Sequence, residues 1–134
     1  MTYRKTGPAA LCAMALSTAA LPSSAQAHHS FSMFDMTKTQ VVTGTVTQFN
    51  WQMPHVWIHM MLPGPGGKTT EWAGECHSPN IIARKGWKSN TVKPGDKIKV
   101  TMHPMRDGSP AGSVVAVELP GGTVLMNAES TSRV

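Results

Sequence analysis

The sequence predicts a small, mainly β protein: a five-stranded barrel with one short helix between its third and fourth strands. Three observations carry that expectation. β-Branched and aromatic residues alternate with polar ones in short runs, clusters of Gly, Pro and Asn punctuate those runs, and a Ser-Pro pair followed by a Gly interrupts them once. So many short, half-apolar faces bury best in a closed or nearly closed sheet. A half-open sandwich with an added helix is the alternative.

The first strand is expected at 41–49, with Gly44 inside it as a bend or bulge. The second, at 55–62, puts Val56, Ile58, Met60 and Leu62 on one face and His55, Trp57, His59 and Met61 on the other. Pro63-Gly64-Pro65-Gly66-Gly67 turns the chain into the third strand, 69–74. Ser78 and Pro79 then open a helix, as N-cap and first helical residue, and Gly86 closes it. Lys93-Pro94-Gly95-Asp96 leads into the fourth strand, 97–103, with Ile98, Val100 and Met102 inward. A loop at 106–110 precedes the fifth strand, 113–119. Residues 28–40 read as an extended lead-in, 41–126 as one barrel domain and 127–134 as a polar, frayed tail. This order matches the oligonucleotide/oligosaccharide-binding barrel, a scaffold that does not by itself assign a function.

Ahead of the barrel, Arg4 and Lys5, an apolar run over 9–21 and the small-residue motif Ala25-Gln26-Ala27 form a secretory signal peptide at 1–27. The run is too short to span a bilayer, and Leu11 before Cys12 is too bulky for lipoprotein processing. A periplasmic or secreted protein without stable membrane insertion is expected. The chain carries 12 Lys plus Arg against 7 Asp plus Glu, and loss of Arg4 and Lys5 leaves it mildly basic. No Lys/Arg block marks a nucleic-acid face, so the expected partners are a metal ion or small ligand and another periplasmic protein. Cys12 leaves with the signal, so Cys76 has no intramolecular disulfide partner.

Cleavage after Ala27 would make His28 the first residue, and a terminal histidine offers a metal its α-amine and ring nitrogen together. Pairing the first strand with both the second and the fourth brings the ends of those two strands together in this reading. One cluster then gathers His28, His29, His59, His103, Met61 and Met105, a nitrogen and thioether set suited to copper. The bland explanation is a disordered polar start. A second, weaker cluster at the opposite end gathers His55, Glu75, Cys76 and His77, whose spacing matches no standard zinc pattern. There Cys76 is as readily an ordinary buried thiol. His55 and His59 cannot share an ion, because four residues of strand separate them by roughly 13 Å. Of the eight methionines beyond the signal, Met60 and Met102 fall on apolar faces and read as core. Trp57, between His55 and His59 on the outer face, is a candidate stacking surface for a ligand, whereas Trp72 and Trp87 read as core.

Three functions follow: copper carriage or buffering at the mature terminus, a ligand- or partner-binding barrel using the Trp57 face without metal, and a copper oxidoreductase at the same terminus. Other enzyme readings are weaker. Ser78 is better explained as a cap than as a nucleophile beside His77, Glu71 and Glu75 imply no cleft, and no Gly-rich phosphate loop appears.

His28-His29-Ser30-Phe31, Gly44-Thr45-Val46, Phe49 with Trp51, Pro54-His55-Val56-Trp57-Ile58, Ser78-Pro79, Arg84 with Gly86-Trp87, Pro94-Gly95-Asp96 and Pro104 with Asp107-Gly108 occur together in this chain. In that combination it resembles a family of small exported bacterial proteins grouped under a domain of unknown function. Met53 stands where that family usually has asparagine. The resemblance implies export and a shared fold, and brings no established activity with it.

Overall fold

The computed structural model describes residues 31–127, together with Thr2. The signal peptide expected at 1–27 (Thr2 apart), His28, His29 and residues 128–134 lie outside the described residues. Six strands form the fold: β1 (Gln40–Asn50), β2 (Trp57–Pro63), β3 (Thr69–Glu75), β4 (Lys97–Pro104), β5 (Ala111–Glu118) and β6 (Val124–Met126). A five-residue helix, α1 (Pro79–Ala83), lies between β3 and β4. The sheet order is β3-β2-β1-β4-β5-β6, and a parallel pairing of β3 with β5 closes the first five strands into a barrel.

Alternation explains which residues line the interior. Ile98, Val100 and Met102 of β4 and Ile58 and Met60 of β2 are at most 1% exposed, as their period-two spacing requires. In β1 the pattern holds from Val42 to Val46, then a bulge shifts the register between Val46 and Gln48. Thr47 and Gln48 both face outward as a result, and Phe49 returns to pack on the core. The bulge therefore falls later than Gly44, where the sequence suggested it. Gly44 has a different cause: a Cβ there would come within 2.7 Å of Leu62 Cδ1 and 3.0 Å of the Met61 carbonyl oxygen.

The helix contributes Ile82 to the core, fully buried in one cluster with Trp87, Val92 and the strand residues. Ser78 holds the N-cap position, and its carbonyl accepts from the backbone N–H groups of Ile81 and Ile82. Its hydroxyl makes no capping bond, contrary to the sequence expectation, so Pro79 at the first helical position sets the start. β6 is an addition that the sequence reading missed. It pairs with β5 and is followed by Asn127, which is 2% exposed, where the sequence suggested a frayed residue.

Candidate functional site

The long, bulged β1 decides where the histidines fall. Its first half pairs with β4, from Gln40 opposite Met102 to Thr45 opposite Lys97. Its second half pairs with β2, from Thr45 opposite Met61 to Asn50 opposite Trp57. The ends of β2 and β4 therefore lie beside different parts of β1, and the single cluster expected from topology divides in two. Round the other side of the barrel, His59 is level with Ala73 and Ala111, and Met105 donates its N–H to Ala111. On that side β3 and β5 stand between His59 and Met105, and on the other the two lie beside opposite ends of β1. His59 and Met61 belong to one place, His103 and Met105 to another.

His103 and Met105 sit where the chain enters the fold. Phe34 bridges Met105 across an isolated antiparallel contact. The Asp35 N–H donates to the Pro104 carbonyl at 2.8 Å, and the Arg106 N–H to the Met33 carbonyl at 2.9 Å. The Arg106 guanidinium donates to the Ser32 carbonyl at 2.9 Å. His103 Nδ1 lies 2.7 Å from the Lys38 carbonyl oxygen, which can only accept, so Nδ1 carries the proton and Nε2 holds the lone pair of the neutral ring. Within the same segment the Asp35 carboxylate accepts from the Thr37 hydroxyl at 2.6 Å and pairs with Lys38 at 3.0 Å. The Thr37 hydrogen bond, with Lys38 behind it, lowers its pKa to about 2.

The second cluster is assembled. The backbone N–H of Val56 donates to the His77 carbonyl and that of Cys76 to the Val56 carbonyl, so the approach to β2 runs alongside the exit from β3. His55, Glu75, Cys76 and His77 line a small cavity of about 10 Å³ together with Ser113 and Asn127. His55 Nδ1 stands 3.1 Å from the Cys76 carbonyl oxygen and 3.4 Å from Glu75 Oε1, both acceptors, which places its proton on Nδ1. Glu75 is 7% exposed, and its second oxygen, Oε2, is buried without a hydrogen-bond donor among the described residues. The pKa of His77 is lowered, first by burial and then by His55 and Lys85, with Glu75 opposing. Cys76 faces the apolar core, and burial pushes its thiol far above the ordinary thiol range. It contributes a carbonyl here and is not poised as a thiolate ligand.

Sequence reasoning missed Asn127. Its Oδ1 accepts from the His77 backbone N–H at 2.8 Å, and its Nδ2 donates to the Val114 carbonyl at 2.7 Å. A short apolar triplet after Pro120-Gly121-Gly122 was the available signal. Trp57 lies half-buried on the outer face as expected, its ring stacked at 30° on that of His59 with centroids 6.5 Å apart. His59 in turn faces Glu71 at 3.3 Å. Among the described residues no three His, Cys, Asp or Glu side chains already converge as a metal-ligand set, and no helix is long and apolar enough to cross a membrane.

A closed five-strand barrel with one short helical piece is a small, mainly β barrel domain. The chain belongs to the Family of unknown function (DUF6152), whose model matches residues 15–114. No curated protein matches it. Among solved structures it is similar to Rim1, a mitochondrial single-stranded DNA binding protein from S. cerevisiae, at 12% identity and a TM-score of 0.48, over 62% of this chain and 93% of that one.

Proposed function

We infer that this protein is an exported binding barrel for a transition-metal ion, copper foremost, acting in carriage or buffering. In this reading the mature terminal His28 supplies amine and ring nitrogen, with His29, His103 and Met105 as the further donors. One observation carries this reading: Ser32, Met33, Asp35 and Lys38 are bonded to the end of β4 beside His103 and Met105. Four residues of chain, spanning at most about 14 Å, connect Ser32 to His28. The protonated Nδ1 of His103, held by a backbone carbonyl, is also the arrangement that orients a metal-binding imidazole. Imidazole, amine and thioether together suit copper in both oxidation states. His59 and Met61 take no part in this centre, and the same terminus would host redox turnover if the protein is an oxidoreductase.

The test is copper titration of the mature chain against a chain with one residue preceding His28. The extension is expected to weaken binding by ~100-fold or more, beyond the scale of outer-shell changes. Equal affinity would remove the terminal amine from the site. A second reading, a small-ligand or partner surface without metal, is favoured by the Trp57–His59 stack on the outer face. It requires Trp57→Ala to abolish ligand binding while copper uptake is unchanged, and retained binding would dispose of it.

A further inference from the structure

The outer face of β1 and β2 carries a second, larger depression. Val42 and Val46 are buried, so alternation leaves Thr43 and Thr45 outside and exposed. On β2 the same alternation buries Ile58 and Met60 and turns Met61 and Pro63 outward. Register puts these residues together: Thr45 lies opposite Met61 on one side and Lys97 on the other, and Pro63 lies opposite Thr69. They border a groove of about 490 Å³, within the range of sites that hold a small organic molecule. Gly44 adds only backbone to it. The polar groups of the groove are uncommitted. Lys99 pairs with Glu118 at 2.7 Å, whereas the Lys97 ammonium and the Thr43, Thr45 and Thr69 hydroxyls have no partner among the described residues. Among those residues no acidic side chain lines the groove, and Glu71, opposite Met61, faces His59 at 3.3 Å.

We propose that this groove binds a small organic monocarboxylate with an apolar body, its carboxylate at the Lys97 ammonium and the Thr45 hydroxyl and its body over Met61 and Pro63. One ammonium, with no guanidinium fork, suits a single negative charge better than a phosphate dianion. The Thr45 hydroxyl donates to the carboxylate, and the Met61 thioether and the Pro63 ring offer apolar surface to the rest of the ligand. Charge sets the direction. Glu71 on β3 stands three strands from Lys97 on β4 in the sheet order, so the acid end lies toward β4 and the apolar end toward the β2–β3 turn. The groove uses neither the terminal histidine nor Trp57, which stands at the other end of β2, four residues of strand or roughly 13 Å from Met61. It does not depend on where the signal is cleaved.

The experiment is amide NMR of the mature chain at neutral pH, titrated with hexanoate, with hexanamide as the uncharged probe and acetate as the probe without an apolar body. Hexanoate is expected to give saturating shifts centred on Thr43, Thr45, Met61 and Lys97. Hexanamide is expected to bind about 10-fold more weakly for want of the charge-assisted contact, and acetate about 10-fold more weakly for want of buried methylenes. Lys97→Gln is expected to weaken hexanoate by about 10-fold and to leave the melting point unchanged, because the side chain is exposed. Trp57→Ala is expected to bind hexanoate as the wild type does, which separates this site from a ligand held on the Trp57 face. The absence of saturable shifts, or shifts centred away from these residues, overturns the proposal. So does equal affinity for hexanoate, hexanamide and acetate, or a Lys97→Gln chain that binds hexanoate as tightly as the wild type.

Discussion

Asn127→Ala tests how the cavity is built. The side chain is 2% exposed and closes two hydrogen bonds, one from the His77 N–H at 2.8 Å and one to the Val114 carbonyl at 2.7 Å. Truncation leaves a donor and an acceptor behind, each costing about 1–3 kcal/mol when buried. His77 is only part-buried, so its N–H regains some solvent and the total falls to about 2–4 kcal/mol. For a domain of this size that lowers the melting temperature on the order of 10–20 °C. Urea unfolding followed by tryptophan fluorescence reads the change directly, because Trp87 Nε1 donates to the carbonyl of Met126, the residue before Asn127. Asn127→Asp keeps the acceptor for His77 and loses the donor to Val114, so its loss should be intermediate. A loss below about 0.5 kcal/mol for Asn127→Ala, the range of ordinary surface changes, would return this residue to a frayed tail and refute the packing described.

Other expectations concern the lead-in segment and the barrel seam. Gly112→Ala places a Cβ 2.5 Å from Met102 Sδ and 2.6 Å from the His103 carbonyl oxygen; the backbone must shift, and a loss of about 1–3 kcal/mol or more is expected in thermal melts. Asp35 has a folded pKa of about 2, below its usual 3.8. Its stabilising share is present above the unfolded value and lost as pH falls through about 2, so carboxyl NMR titration should place its midpoint there and Asp35→Asn should abolish that acid-side step. Trp57→Ala removes an outer-face ring and should leave stability within about 1 kcal/mol, while Ile58→Ala, fully buried in the same strand, should lose about 2–5 kcal/mol.

The inward faces of 55–62 and 97–103 were legible in the sequence because a period of two is local and both strands have one buried side. The helix start at Pro79 was legible for a similar reason, although the Ser78 hydroxyl does not cap it. The placement of His59 and His103 was not legible. It depends on how β1 divides its length between two partners, which the bulge at Val46/Gln48 and the pairing register decide. β6 is three residues long, too short to show a period, and the Asn127–His77 bond spans 50 positions of sequence. The second cluster came together because His55 and the Glu75–His77 run flank strands that pair antiparallel.

Native mass spectrometry of the protein exported with its own leader reads the first residue and the bound copper in one spectrum. A chain beginning at His28 and carrying copper, with the copper lost when a residue precedes His28, is the expected result. A chain beginning elsewhere, or one that keeps its copper with the terminus extended, would contradict the terminal histidine centre.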